Sequence, residues 1–425
     1  MDDSRPDPDT TVAALPNGVR VLVLRLPHVG SASVSVFVRT GSLHESPKLN
    51  GISHVVEHMA FKGTATRSCQ QINLDAERLG AEVNAHTDKD HTAFHMRGMA
   101  RDAAQFVRML ADIVRHSTFP ETELERERQV ILQELTEEED DPLSEAFRLF
   151  DRLCFGMHPA GQPVIGTRRN IERFTRADLL DYVQRQYGGA NVVVGVAGDV
   201  RPDEIVRVAE AAFGDMPRGE PNALHAPAYE GGARTRRMAG SSQTHVVLGW
   251  PVPGLADAPE AAIVAATLFG EGMSSPLLDR VRERLGLAYY TACSADLLPV
   301  CGQFVIEAST SPGHVGPLLA EVKHLLVDHA GHADSAGLQR ARNQIAVRRL
   351  RTQERPHRRL EEAAQDLFVH GRVRSPAELA ARIDAVSAED VRAAFERMLG
   401  ARAAVAMAGA VPRAASHALT TLLDR

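Results

Sequence analysis

Two short stretches near the start of the chain are rich in Val, and turn residues separate them. Val19 to Leu26 and Ala32 to Arg39 therefore predict two β-strands. From Gly51 to Phe61 the apolar period changes from strand-like to helical, with no proline. "SCQQINLDAERLG" is again helical and ends on a glycine placed as a C-cap. "AEVNAHTDKDHTAFHMRG" has β-type residues on both sides of a polar turn and predicts a hairpin. "DAAQFVRMLADIVRHS" is an amphipathic helix, and a charged helix follows from about Glu123 to about Glu138, its end interrupted by Pro142.

The pattern then repeats. Thr175 to Val200 reads as a helix followed by a buried strand, and Ser387 to Val411 reads the same way. Both end in Ala-Gly-x-Val, and the pairs Ala197-Gly198 and Ala408-Gly409 stand 211 positions apart, close to half the chain. A period that long is not a solenoid repeat; it predicts two copies of one domain. Residues 10–215 form the expected first domain, 216–232 a Pro- and Gly-rich linker, and 233–425 the second. Strands and helices mix without strict βαβ alternation, so the expected class is α+β, each domain an antiparallel-rich sheet with helices packed on it.

A length of 425 residues fits more than one domain, and 44% apolar residues fit a globular chain. The net charge of −7 predicts no nucleic-acid partner. The basic stretch Arg348 to Arg359 alternates with apolar residues and Glu, as a solvated helix face does. No apolar run approaches the roughly 18 residues that span a bilayer, so no membrane partner is expected. The acidic, Pro-rich start lacks the basic and apolar regions of a signal peptide. Cys69, Cys154, Cys293 and Cys301 fit neither a zinc CxxC site nor a disulfide framework, so a cytoplasmic location is expected.

Candidate chemistry sits in "GISHVVEHMAFKGT". His54 and His58 are four apart, so on a helix two imidazoles face one ion. Imidazole and carboxylate with one open position are a common catalytic zinc set. Glu57 is placed to act as general base on a zinc-activated water. A lone histidine on an apolar helix is more often structural, but two at ligand spacing around a glutamate form the inverted zinc motif H-x-x-E-H. A third ligand must come from elsewhere. In the charged helix, Glu127 and Glu134 are seven apart and share a face with Val130 and Ile131, both expected to be buried. A carboxylate there needs a partner or a metal. Periodicity does not choose between the two glutamates.

Three segments, "HVVEHMAFKGT", "GAEVNAHTDKDHTAFH" and "ERERQVILQE", resemble the pitrilysin/insulinase family of zinc metallopeptidases, the inverzincins. In size the chain is most similar to the bacterial peptidases that resemble mitochondrial processing peptidase. The family carries H-x-x-E-H and a later glutamate; here 75 residues stand between His58 and Glu134. The resemblance implies His54, His58 and Glu134 as ligands of one Zn2+ per chain, Glu57 as base, and Glu127 as a supporting carboxylate. "QTHVVLGW" and "GEGMSSPLLDRVRERLGLAYY" resemble the family's second domain and imply that Arg282 and Tyr289 hold the substrate. Taken without the resemblance, Arg282 is a surface salt-bridging residue and Tyr289 a half-buried core residue. Pro276 departs from the family pattern and is expected to alter the start of the helix leading to Arg282. Asn84 and Ala85 match the edge strand beside which substrate pairs as an added strand. His86, His91 and His95 share no ligand spacing and are expected on the hairpin surface or a pocket wall.

The expected function is a zinc endopeptidase that cleaves unfolded peptides or short polypeptides. With two domains where larger relatives have four, the resemblance implies a chamber closed by a homodimer. The acidic "EEEDD" beside Glu134 suggests basic substrates. Alternatives are a catalytic subunit maturing one precursor with a homologous partner, and a scaffold that has lost the chemistry.

Overall fold

The computed structural model describes residues 8–413, so the last residues of the expected second domain, 414–425, lie outside it. In chain order the first elements are β1 (Thr10–Ala14), β2 (Arg20–Arg25), β3 (Ser31–Val38), α1 (Ile52–Ala60), α2 (Cys69–Arg78), β4 (Glu82–Thr87) and β5 (Thr92–Met99). There follow α3 (Ala103–His116), α4 (Glu121–Asp140), α5 (Pro142–Phe155), α6 (Arg168–Arg173), α7 (Arg176–Gln186), β6 (Val192–Gly198) and α8 (Pro202–Phe213). The later half comprises β7 (Gly232–Arg237), β8 (Thr244–Val252), α9 (Glu260–Gly270), β9 (Tyr290–Leu298), β10 (Cys301–Thr310), α10 (Val315–Gly331), α11 (Ser335–Gln353), α12 (Pro356–His370), α13 (Pro376–Ala385), α14 (Ala388–Gly400) and β11 (Ala404–Gly409).

The strands form two sheets, in the orders β1-β2-β6-β3-β5-β4 and β7-β11-β8-β10-β9. Apart from the outer β1, the second order reproduces the first. Each sheet has one parallel pair, β2 with β6 and β7 with β11. The helix–strand repeat seen in the sequence is α7–β6 and α14–β11. Both helices begin with a capping box, Thr175 with Asp178 and Ser387 with Asp390, which satisfies the free N–H groups of the first turn. The class is α+β, as expected.

The chain divides into two compact units that are not contiguous in sequence. The first takes residues up to Leu135, Pro163–Leu224 and Arg351–Ser375; the second takes Thr136–Gln162, His225–Leu350 and Pro376 onward. This differs from the expected spans 10–215 and 233–425 at two helices. The physical reason is burial on both faces of the first sheet. In β2, Val21 and Val23 join one core with α1 and α3, while Leu22 and Leu24 join another with Leu360, Ala363 and Leu367 of α12. That is why "RVLVLR" reads as a continuous apolar run rather than an alternating one. At β6 the approach is so close that a Cβ on Gly195 would stand 2.8 Å from Leu360 Cδ1. In the second unit, α5 packs across β7, β8 and β11. Opposite it, β8, β10 and β11 bury Leu248, Phe304 and Met407 with Phe269 of α9 and Phe395 of α14.

Three local expectations change. Pro142 does not merely end α4. It opens α5 at the first helical position, where its missing N–H is harmless, behind the Asp141 N-cap. The expected linker is divided at 224/225, and its last residue already belongs to β7. The stretch Arg348 to Arg359 is not one helix face, because α11 ends at Gln353 and Pro356 starts α12.

Candidate metal centre

α1 buries Ile52, Val55, Val56 and Met59 in the core and leaves His54, Glu57 and His58 on its partly open side. Gly51 precedes it in the left-handed region at φ 99°. A Cβ there would come within 2.8 Å of Gly166 Cα, so only glycine fits. The helix start is held by a buried carboxyl: Glu45 accepts from Gly51 N at 2.8 Å, Ser53 N at 2.8 Å and Asn50 Nδ2 at 3.1 Å. Burial raises the Glu45 pKa, and these donors oppose the rise. The Ser53 hydroxyl also meets the Tyr182 hydroxyl at 2.7 Å, which in turn meets Thr40 Oγ1 at 2.7 Å.

α4 runs alongside. Leu124, Glu127, Ile131 and Leu135 form its buried stripe. Val130, expected on that face, is 44% exposed, because at about 3.6 residues per turn it stands roughly 100° around the helix from the stripe. The two glutamates of α4 meet different atoms of the histidines. Glu134 Oε2 lies 3.5 Å from His58 Nε2 and 3.9 Å from His54 Nε2. One ligand atom from each of these three residues falls within 4.8 Å of the others. Glu127 instead meets the far side of the ring, with Oε2 at 3.1 Å from His58 Nδ1 and Oε1 at 2.6 Å from Lys62 Nζ. It fixes the His58 ring with Nε2 turned toward Glu134, the usual relation of an outer carboxylate to a metal-binding imidazole.

Burial, with a smaller contribution from His58, lowers the His54 pKa to about 4. Its imidazole is therefore neutral near pH 7, with a lone pair free for a cation. Glu57 accepts from Thr87 Oγ1 at 2.6 Å. Burial raises the Glu57 pKa; the Thr87 hydrogen bond and the neighbouring His58 act against it, while Glu134 adds to it. Two imidazoles and one carboxylate, with a second carboxylate held back by a hydroxyl, are a donor set that fits zinc with one position open. When bound, zinc polarises a carbonyl and supplies a water nucleophile at neutral pH.

Asn84 and Ala85 lie on β4, the edge of the first sheet, opposite His95 and Phe94 of β5. Arg282 and Tyr289 lie in the second unit. Arg282 rides on a π-helical segment, Leu278–Arg284, with its guanidinium over the Tyr289 ring at 5.7 Å from the centroid. Tyr289 is 81% exposed, so the half-buried core placement does not hold. Pro276 opens the short α-helical lead, residues 276–277, into that segment, and a first helical position suits proline.

The first half, residues 20–168, matches the family model "Insulinase (Peptidase family M16)", and residues 173–345 match "Peptidase M16 inactive domain". A Rickettsia bellii protein described as an uncharacterized zinc protease is 32% identical over 400 residues, 94% of this chain and 97% of that one. The chain belongs to the insulinase family of peptidases, family M16. A Streptomyces coelicolor member, also described as an uncharacterized zinc protease, is 33% identical over 93% of this chain and 88% of its own length. The crystal structure of a protease from Helicobacter pylori has the same fold, with a TM-score of 0.87 at 20% identity over 95% of this chain and 99% of that one. H-x-x-E-H falls in the half matched by the insulinase model, and the half matched by the inactive-domain model has no such motif.

Several residues that build the centre were not singled out in the sequence. Lys62 could have been found, since it lies four residues after His58 and a buried Glu127 needs a cation. Thr87 shares a face of β4 with Ala85 by alternation. Glu45 and Tyr182 carried no local signal.

Proposed function

We propose that this M16 chain is a zinc endopeptidase acting on unfolded peptides or short polypeptides. One observation carries the reading: the Nε2 atoms of His54 and His58 converge on Glu134, with Glu57 beside them. His54, His58 and Glu134 would hold one zinc ion. Glu57 takes a proton from the attacking water and delivers it to the leaving amine, and its burial suits a carboxyl that must both accept and release a proton. Glu127 positions His58 and is not itself a ligand. A peptide strand pairs with the free edge of β4 at Asn84 and Ala85, where main-chain hydrogen bonds give affinity with little sequence preference. Arg282 and Tyr289 supply donors for the peptide or the developing oxyanion. The chain acts as a homodimer whose closure makes a chamber. Four cysteines that form no disulfide suit a reducing cytoplasm. Among the described residues no helix is long and apolar enough to cross a membrane.

The test is cleavage of a quenched fluorescent peptide mixture, with zinc counted on the same sample and Glu57→Gln alongside. Wild type is expected to cleave, and Glu57→Gln to keep its metal while losing about 10²–10⁴-fold in rate. Cleavage unchanged in Glu57→Gln would remove the base assignment. Zinc without cleavage, reversed by adding a homologous chain, would point to a heterodimer. Light scattering reads the dimer directly.

A further inference from the structure

His86 and His91, expected on the hairpin surface or a pocket wall, stand close to two carboxylates. The turn between β4 and β5 brings them to Asp88, and α12 brings Glu361 from far along the chain to the same point. One ligand atom from each of His86, Asp88, His91 and Glu361 falls within 4.8 Å of the rest. Glu361 Oε1 lies 3.2 Å from His86 Nε2 and 3.9 Å from His91 Nε2. Asp88 Oδ2 lies 4.0 Å from each of the same two nitrogens. Both Nε2 atoms are buried and face these carboxylates without a well-aligned hydrogen bond.

The surroundings hold these donors in place. His91 is 6% exposed, and its Nδ1 faces Asp90 Oδ1 at 2.8 Å. Asp90 in turn is in reach of Gln365 Nε2 on α12 at 3.4 Å. A carboxylate on Nδ1 puts the proton there and leaves the Nε2 lone pair facing the cluster, as in carboxylate–histidine–metal triads. Glu361 Oε2 is held by Arg358 Nη1 at 3.2 Å, which leaves Oε1 for the imidazoles. Asp88 is the exposed member, so the cluster opens to solvent on its side. Sequence spacing hid this group because its fourth member lies beyond 269 intervening residues.

We propose that His86, Asp88, His91 and Glu361 form a second cation site, distinct from the H-x-x-E-H centre and suited to a first-row divalent transition ion, zinc foremost. Two imidazoles and two carboxylates match such an ion, and four protein ligands leave no open position, so the site is structural. The contraction needed is modest, since ligand atoms around tetrahedral zinc stand about 3.3 Å apart. Its effect is to clip the β4–β5 turn to α12. That turn adjoins Thr87, which holds Glu57, so the clip stiffens the edge strand at the catalytic side chain.

The test uses the full chain, stripped by chelator, reloaded with zinc chloride, desalted and counted by mass spectrometry. Wild type is expected to hold about two zinc ions per chain, and His58→Gln and Glu361→Gln about one each. His58→Gln isolates the new site from the first one. In that background cobalt should give the intense visible bands of tetrahedral coordination, and zinc should raise the melting temperature. Both effects should vanish when Glu361→Gln is added. His86→Asn serves if Glu361→Gln fails to fold, judged by circular dichroism. A His58→Gln chain that takes up no zinc or cobalt, or a metal count that neither Glu361→Gln nor His86→Asn changes, overturns the proposal. Loss of zinc from the H-x-x-E-H centre alone would leave the His58→Gln result intact, so the two readings fail separately.

Discussion

At the scale of single residues, Glu127 and Glu134 show how seven positions on one helix separate into two jobs. Glu134 faces the Nε2 side of both imidazoles, and Glu127 faces Nδ1 of His58 while paired with Lys62. Glu127→Gln should therefore bind zinc but hold it about 10–100-fold more weakly, because the imidazole loses its charged orienting partner. Competition with a chelator of known affinity measures this; an unchanged affinity would make Glu127 an ordinary buried ion pair. A second residue contributes to the acid limb of stability. Burial, assisted by the Arg39 charge, lowers the His44 pKa to about 4. The unfolded chain takes up the proton near pH 6.5, while the folded one refuses it until about pH 4. Stability is thus fully present above that window and declines as pH falls through it. In His44→Asn the decline between those pH values should be shallower by up to one proton, read from urea midpoints across the range.

At the scale of elements, the motif helix is only as well placed as its first turn. α1 has no capping side chain of its own, and its start rests on Glu45, a residue outside the helix. Glu45→Ala leaves the Gly51 and Ser53 amides and the Asn50 amide without that acceptor in a buried place. The expected loss is about 1–3 kcal/mol. It should appear as a lower urea midpoint together with weaker zinc binding, since His54 immediately follows Ser53. Reduced stability with unchanged zinc affinity would mean that the helix keeps its position without the cap. β4 makes the complementary point. It was legible as a hairpin strand from its β-type residues beside a polar turn, and the edge position that the resemblance implied is shown by the order β3-β5-β4.

At the scale of the whole molecule, the first unit is completed by a helix from the later part of the chain. Leu360 is fully buried against the outer face of the first sheet. Leu360→Ala should cost about 2–5 kcal/mol, in the range of other large-to-small core changes. Residues 8–224 alone would expose Leu22, Leu24, Phe37 and Val193, so that fragment should bind a hydrophobic dye and aggregate. A soluble, zinc-loaded fragment would show that α12 is dispensable.

Local pattern determined a good deal by itself. The Val-rich runs, the duplicated helix–strand unit and the H-x-x-E-H face all depend on neighbours within a few turns, where periodicity acts directly. Their outcome was therefore readable along the chain. Tertiary structure alone decided which glutamate of α4 meets which ring nitrogen, that Glu45 and Tyr182 anchor α1, and that α12 and α5 each join a unit separated from their own sequence neighbours. It also gathered Glu361 to two histidines of a distant hairpin. Each of these turns on distances between segments far apart in sequence, set by how buried faces pack, and no local period records them.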